Sequence, residues 1–511
     1  MEKRYLYKLL LVSVSSFLLS CNGYLEEIPQ NKQKLSTTDD YDQLLNNAYL
    51  TKAVLPYIDV LTDDMDYIAA DRDPRFGNVA ERVLMKLADS YLGAFMWDDK
   101  IESTLTNGDE TFGTFYNSAY NANVVIDNID DAIGSVLDEQ VVRKTRNHIK
   151  GEAYALRAFR YFYLVNIYAA PYDPATCAVT PGIPINLETT ADDKSYRRES
   201  LQKVYEQIVD DLKKAISLME ENSMDLAKSR FSAIAAKALL ARVYLYMQEW
   251  DLAIELAKDV ITTNPALFDL RAAGENPVIY TESRLTEWTE ESIPGIGYLS
   301  EENTNVLFVN GINELYMILG GNTAQSVFYP SETLYSSYET GDVRRYYFMR
   351  RNTRNRIRYM KNRYYQLSYL NFVVQLSSEY GYTRVIRTEE MYLILAEAYA
   401  HKSDGIGTAV GYLNTLRETK FRTKDFETSG RLHPENFTQE TLLETIWNER
   451  RREFCFEEQR WFDLRRTTRP AMTHYGLVKD PAVLEKDDPR YVLQIPQKEL
   501  NVNPEIGANP R

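Results

Sequence analysis

The chain has 511 residues, of which 44% are hydrophobic, and its 74 acidic residues outnumber 59 basic ones to give a formal net charge of −15. This excess of acid disfavours binding to nucleic acid or to anionic headgroups, because both require clustered Lys or Arg. Three cysteines are too few for a disulfide scaffold in a chain of this length, so a hydrophobic core must hold the fold.

Residues 1–20 have the pattern of a lipoprotein signal peptide. Basic residues precede an apolar run from Leu9 to Leu19, which is shorter than the ~20 apolar residues of a membrane-spanning helix. The following Leu18-Leu19-Ser20-Cys21 reads as a lipobox, and Leu18 does not fit the small-residue rule of an ordinary cleavage site. We therefore predict cleavage before Cys21 and lipidation of that cysteine. Cleavage removes three basic residues and one acidic residue, which leaves a mature formal charge of −17.

Residues 21–39 are polar and lack helical periodicity, so they are interpreted as a tether between the lipid and the folded part. Helical signal begins at about Asp40, and residues 40–511 are predicted to form one domain. Acyl chains attach a protein to a membrane without a polybasic patch when more than one chain is present. An acidic protein can therefore still be held at a membrane.

Apolar residues at helical spacing recur in pairs of segments. Residues 231–247 and 251–261 place small alanines on one stripe and are joined by a short break, which is typical of a tetratricopeptide-type hairpin. The other predicted helices are 148–168 paired with 201–219, 390–400 paired with 409–416, and a last long helix at 438–460. The sequence thus predicts a mainly α protein in which tetratricopeptide-like helix pairs form a scaffold.

The helical period fades between about residues 262 and 378. Gly, Pro, Asn and Tyr punctuate short apolar segments there, such as residues 305–309. We predict a long irregular, loop-rich insert that carries short strands. Its density of Tyr, Trp and Phe argues against disorder and favours a functional role.

Several separated motifs resemble the SusD/RagB family. The fullest match is residues 449–466, ERRREFCFEEQRWFDLRR, with Cys455 and Gln459 as mild departures. The other matching segments are Arg387–Ala398, Asn414–Arg417, Asp342–Arg344 and the C-terminal segment from Gln494, which replaces the family's usual Pro, to Pro510. The resemblance covers essentially the whole chain. It implies a non-catalytic, outward-facing outer-membrane lipoprotein that binds a nutrient, most naturally a glycan or oligosaccharide, and delivers it to a TonB-dependent transporter of the SusC kind.

The charged motif at 449–466 alternates acids and arginines at i,i+3 and i,i+4 spacing. Glu449 and Glu453 could be read as paired catalytic carboxylates, but arginine neighbours keep carboxylates ionised, which does not suit a general acid. We therefore predict a helix locked by Arg–Glu hydrogen bonds. The sequence has no metalloprotease, P-loop or serine-hydrolase motif, and its four histidines are scattered. No catalytic residue, metal site or cofactor is predicted.

Aromatic side chains are the candidates for ligand binding, because sugars present flat C–H faces that stack on Trp and Tyr. The chain has 38 Tyr against 19 Phe. The resemblance implies a ligand face built from loops after the first helix and from the insert. The candidates on these stretches are Asp64, Arg82 and Trp97 from the first and Tyr280, Trp288 and Tyr298 from the second. Trp97 is the preferred residue, and its role requires that the ring be partly exposed.

Two other classes stay open at this point. A tetratricopeptide scaffold lipoprotein that binds a protein partner would need an aromatic-poor, groove-like concave face. A glycan-cleaving lipoprotein would need two positioned carboxylates and measurable turnover, and 74 acidic residues offer many possible pairs.

Overall fold

The computed structural model describes residues 35–49, 56–67, 91–99, 101, 110–190, 195–271, 303–312, 328–351, 357–359, 382–475 and 481–511. This part of the chain is mainly helical, with a few short strands. The mainly α fold with a strand-bearing insert is therefore confirmed. Among the described helices, none combines the length and the apolar composition needed to span a bilayer.

The helices are α1 Thr38–Tyr49, α2 Pro56–Val60, α3 Thr111–Asn128, α4 Glu139–Tyr168, α5 Leu201–Glu221, α6 Ala233–Tyr246, α7 Trp250–Thr263, α8 Glu332–Ser337, α9 Arg344–Phe348, α10 Thr388–Ala400, α11 Ile406–Glu418, α12 Gln439–Glu453, α13 Arg460–Arg466 and α14 Gln497–Val502. From α3 to α7 each helix packs against the next, and α10 continues the row between α7 and α11. This row is the predicted scaffold of helix pairs.

Capping and small residues explain why these segments form closely packed helices. Asp138, Ser200 and Ser232 each accept hydrogen bonds from backbone amides in the first turns of α4, α5 and α6, which satisfies donors that have no partner inside the helix. In α6, Ala235 and Ala238 are fully buried. Side chains of this size let neighbouring helix backbones approach, and the largest hydrophobic cluster runs through the row.

Within the described residues, the strands form four antiparallel pairs: β1 Met65–Tyr67 with β3 Phe328–Pro330, β2 Val306–Ile312 with β6 Tyr382–Arg387, β4 Met349–Arg351 with β5 Ile357–Tyr359, and β7 Met472–His474 with β8 Ala482–Leu484. The β2–β6 pair joins the middle of the insert to the residues that lead directly into α10. Its register places Phe308 opposite Ile386, with an irregularity between Val306 and Phe308. The β2–β6 pair therefore connects the insert to the start of α10 in the helical row.

The predicted last helix at 438–460 is wrong at its C-terminal end. The α12 helix ends at Glu453, and α13 begins only at Arg460. Phe456 and Glu458, in the turn between them, have φ angles of 60° and 57° in the left-handed region, which a continuous helix of L-residues does not tolerate. The turn carries no Gly or Pro that would mark it in the sequence.

Candidate functional site

Charged side chains from separate segments meet in a buried ionic network beside α12. At its centre, the Arg344 guanidinium donates to Asp342 at 2.7 Å, Glu449 at 2.5 Å and Glu453 at 2.8 Å, and all four side chains are fully buried. A planar guanidinium with five donors suits several carboxylates at once. The Asp342–Arg344 and 449–466 motifs, which are distant in the sequence, therefore contribute to the same ionic network.

Two more arginines complete the network. Arg417, at the end of α11, donates to Glu449 at 2.6 Å and to Glu339 at 2.7 Å. Arg387, at the end of β6, donates to Glu453 at 2.6 Å and to Glu457 at 2.9 Å. The network thereby connects α11, α12, the turn after α12 and the end of β6.

These arginines decide the chemistry of the carboxylates. Burial raises the pKa of Glu449, but Arg344, Arg452 and Arg417 outweigh it and hold that pKa well below its usual value. A general acid needs the opposite shift. The prediction that the charged motif is locked by Arg–Glu hydrogen bonds is confirmed by this geometry.

Further ion pairs join neighbouring helices around the network. Arg242 on α6 donates through two nitrogens to the Glu390 carboxylate on α10, each at 2.6 Å. Arg450 on α12 donates to Asp463 on α13 at 2.9 Å. Such bidentate and charge-assisted bonds fix orientation as well as distance, so they set how the helices face one another.

Trp97 does not meet the requirement for a sugar-stacking platform. Its side chain is 2% exposed, and its indole Nε1 donates to the Leu61 carbonyl at 2.9 Å. The ring stacks on His474 with centroids 4.1 Å apart, and His474 stacks on Phe95 at 4.0 Å on its other side. The φ of Trp97 is 51°, so the left-handed backbone turns the ring inward. The prediction of an exposed Trp97 is wrong, because this residue closes an aromatic stack.

Asp64 is also a structural residue in the described structure. Its side chain is 1% exposed, and one carboxylate oxygen accepts from Arg451 at 2.5 Å. Burial raises its pKa, while Arg451 opposes that shift. The Asp64 carbonyl accepts from the Ser331 amide at 2.7 Å, so the residue joins α12 to the segment after β3. The prediction that Asp64 contacts a ligand is therefore wrong as well, because its side chain is closed to solvent.

The other predicted site residues lie outside the described residues. These are Cys21, Arg82, Tyr280, Trp288 and Tyr298. Tyr116 and Asn123, on α3 after Trp97, are described and have structural partners. The Tyr116 hydroxyl donates to the Pro184 carbonyl at 2.7 Å, and the Asn123 amide donates to the Asn186 carbonyl at 3.0 Å. Both hold the loop that follows α4 against α3.

Two open grooves occur among the described residues, and the sequence did not predict either. One, of about 550 Å³, lies between α5 and the segments 185–188 and 196–199, where Leu187 and Tyr196 face several carboxylates and Gln207. The other, of about 360 Å³, lies between α5, α6 and α7, and has an apolar floor that includes Leu240 and Leu256. The first has the mixed apolar and polar lining that a hydroxyl-rich ligand requires, and the second suits an apolar side chain.

The fold and the network define a mainly helical scaffold stabilised by buried ion pairs. Comparison with known proteins identifies it further. Residues 23–245 match the model of a SusD-like family described as starch-binding and associating with the outer membrane, and residues 322–511 match the model of the SusD family. The chain belongs to the SusD/RagB family.

Relatives agree with this assignment. The SusD-like protein P2 of Formosa agariphila is 26% identical over 391 residues, which cover 71% of this chain and 74% of the relative. The SusD-like protein P25 of the same organism is 22% identical and covers 95% of this chain and 94% of its own. The family is one of glycan-binding proteins associated with the outer membrane, not one of enzymes.

Solved structures share the fold. A SusD superfamily protein from Bacteroides vulgatus has a TM-score of 0.68 at 21% identity, covering 93% of this chain and 99% of that one. A putative sugar binding protein from the same species has a TM-score of 0.68 at 23% identity, covering 94% and 99%. The network beside α12 is built from the same motifs that carry the family resemblance in the sequence.

Proposed function

We propose that this protein is a lipid-anchored, outward-facing component of the outer membrane that captures a glycan or oligosaccharide and delivers it to a SusC-like TonB-dependent transporter. The observation that carries the proposal is the match of both ends of the chain to models of a starch-binding, outer-membrane-associated family. The buried ionic network supports a binding role, because Glu449 and Glu453 are committed to arginines and are closed to solvent.

The ligand contacts belong to this proposal. With Trp97 and Asp64 buried, the candidates are Arg82, Tyr280, Trp288 and Tyr298. Tyr and Trp stack on sugar C–H faces, and Arg donates to hydroxyl oxygens at the ring edge. Such contacts on an open, hydrated surface give modest affinity, so we expect micromolar binding that is raised by proximity to the transporter.

A binding assay with a panel of glycans tests the central claim. The purified chain from residue 22 is titrated with soluble α-glucans, β-glucans and other oligosaccharides by calorimetry, and each mixture is then analysed for shortened products. We expect saturable binding of one glycan class and no shortened product. Folded protein that binds none of the panel overturns glycan capture, and accumulation of shortened glycan overturns the non-catalytic role in favour of a glycan-cleaving protein.

The anchor and the transporter are tested in cells. Cys21→Ala should release the protein from the outer membrane, and an unchanged membrane fraction contradicts lipidation of that cysteine. Accessibility to protease added outside intact cells checks the outward orientation. Recovery of a TonB-dependent transporter with the affinity-purified wild-type protein checks the partner.

A protein-binding scaffold is the second candidate, and the groove between α5, α6 and α7 is the observation in its favour. Leu240 and Leu256 line its floor, and Glu220 and Glu255 lie at its rim, which suits a partner segment with apolar and basic side chains. Leu256→Ser should then abolish recovery of the partner while glycan binding persists. Equal recovery of the transporter with wild type and Leu256→Ser contradicts a role for this groove.

A further inference from the structure

An exposed apolar loop lies between α3 and the second turn of α4. Ile133 is 64% exposed, Val136 51% and Val141 47%, and Leu137 is fully exposed. Single exposed apolar residues are ordinary on protein surfaces, but four within nine positions of one protruding segment mark an interaction surface. We call residues 133–141 the apolar loop.

Hydrogen bonds place the apolar loop where the described chain begins. The Thr38 amide donates to the Ile133 carbonyl at 2.9 Å, and the Ile133 amide donates to the Ser36 carbonyl at 2.8 Å. The Ser135 hydroxyl donates to the Asp39 carboxylate at 2.8 Å. The apolar loop is therefore fixed against the residues at which the tether from Cys21 joins the folded part.

The length of the tether limits how far the apolar loop can lie from the anchor. Residues 22–34 separate Cys21 from Leu35. A linker of about 13 residues spans ~20 Å as a coil and at most ~45 Å when fully extended. Once Cys21 carries acyl chains, the apolar loop is held close to the lipid surface.

The charge around the apolar loop permits this contact although the chain as a whole is acidic. Residues 130–150 contain four acidic side chains and four Lys or Arg, and two of the pairs are Lys150 with Asp130 and Arg146 with Glu139. Carboxylates of the adjoining α1 have local partners, since Asp40 accepts from the Ser36 and Thr37 amides and from the Ser36 hydroxyl, while Asp42 pairs with Arg230. Residues 130–150 are therefore neutral in formal charge, and of the α1 carboxylates Asp39 and Asp40 keep their negative charge beside them.

We infer that the apolar loop is a second membrane contact, which enters the lipid interface beside the acyl anchor and orients the protein. The inference rests on the proposed lipid anchoring. A second attachment at the same end holds a protein more firmly and restricts its orientation, because the acyl anchor raises the local concentration of the second contact. The α4 helix starts inside the apolar loop and its 30 residues extend for ~45 Å, so its far end lies about that distance from the apolar loop.

A fluorescent label at Leu137 tests the contact. Leu137→Cys is labelled with an environment-sensitive nitrobenzoxadiazole dye, and labelling is selective because Cys177 and Cys455 are buried. The matched control is Val179→Cys, which is 83% exposed on the loop beyond the far end of α4. Both chains start at residue 22 with an N-terminal hexahistidine and are tethered to vesicles of phosphatidylcholine and phosphatidylglycerol that contain a nickel-chelating lipid.

We expect a blue shift and an at least twofold rise in emission at position 137 upon tethering, and neither change at position 179. No shift at position 137, or an equal shift at both positions, overturns the inference. A shift at position 137 that requires added transporter also overturns it and assigns the apolar loop to a protein contact. The nickel-chelating lipid supplies the tether, so the result is independent of Cys21 lipidation and of glycan binding, which the cell and calorimetric experiments test separately.

Discussion

Arg344 and Glu453 lie 109 positions apart in the chain and form a 2.8 Å ion pair in which both side chains are fully buried. Glu453 also accepts from Arg387, so one carboxylate compensates two buried cations. Burial of an ion pair costs desolvation free energy, so the net contribution of the pair to stability is not simply the attraction between its charges. Removal of Glu453 leaves both arginines charged with one carboxylate fewer, since Arg344 keeps Asp342 and Glu449 and Arg387 keeps Glu457.

Glu453→Gln should lower the free energy of unfolding by about 3–5 kcal/mol, since Arg344 and Arg387 stay charged in the core. Urea denaturation measures the change. Glu427→Gln is the control, because Glu427 pairs with Arg431 on the surface and its loss should change stability very little. Equal stability of Glu453→Gln and wild type contradicts a structural role for the network.

Glu449 gives the fold a pH dependence of defined sign. Its folded-state pKa lies well below the unfolded value of 4.5, so the stabilisation from its ionised form is fully present above about pH 4.5. It is lost as the pH falls through the folded-state pKa. Wild-type protein should therefore lose stability between pH 5 and pH 3, and Glu449→Gln should lose less over the same interval. Parallel pH profiles of the two proteins in urea denaturation would exclude this contribution.

Trp461 is the large aromatic anchor of the charged motif. It is fully buried, as predicted, and it stacks on Tyr491 with ring centroids 5.0 Å apart. Trp461→Ala should cost about 3–5 kcal/mol by leaving a cavity. Its indole Nε1 has no hydrogen-bond partner among the described residues, so Trp461→Phe should cost distinctly less. Similar losses for both variants in urea denaturation would show that ring stacking is not the main contribution.

Much of the helical scaffold follows from sequence periodicity, because burial of one helix face imposes a 3.6-residue spacing on apolar residues. The segment predicted at 231–247 is α6 at Ala233–Tyr246, and the one predicted at 251–261 is α7 at Trp250–Thr263. The turn after Glu453 could not be predicted in this way. Its side chains keep helical spacing, and only the tertiary contacts of the network show why the backbone turns there.

The candidate site was harder to predict for a related reason. Trp97 is followed by Asp98 and Asp99, which are exposed, and this pattern is typical of a surface aromatic. The left-handed backbone at Trp97 and its stack on His474, 377 positions later in the sequence, reverse that expectation. Single-sequence patterns report local exposure well, whereas the partner that buries a ring can lie anywhere in the chain.

Trp97→Ala should therefore lower stability, by about 3–5 kcal/mol, through loss of the stack and of the hydrogen bond to the Leu61 carbonyl. Burial lowers the pKa of His474 to about 4, so the ring is neutral at pH 7 and suited to this apolar stack. Tyr475→Ala is the control, since Tyr475 is next in sequence and 55% exposed. An unchanged melting temperature for Trp97→Ala contradicts the structural role.

Trp288→Ala should weaken glycan binding at least tenfold, a loss of about 1.4 kcal/mol. Stacking of an aromatic ring on a sugar face contributes ~0.5–1.5 kcal/mol beyond the area it buries, so loss of one platform accounts for a change of this size. The melting temperature should stay near that of wild type. Calorimetry with the glycan identified in the panel measures the affinity.

The matched control for this prediction is Trp250→Ala. Trp250 begins α7 on the helical row, where its half-buried ring stacks on His401 with centroids 4.0 Å apart. Its loss should leave glycan affinity unchanged, because the proposed contacts are Arg82 and residues of the insert. Wild-type affinity in Trp288→Ala would contradict the predicted platform, and weaker binding in Trp250→Ala would place the glycan on the helical row instead.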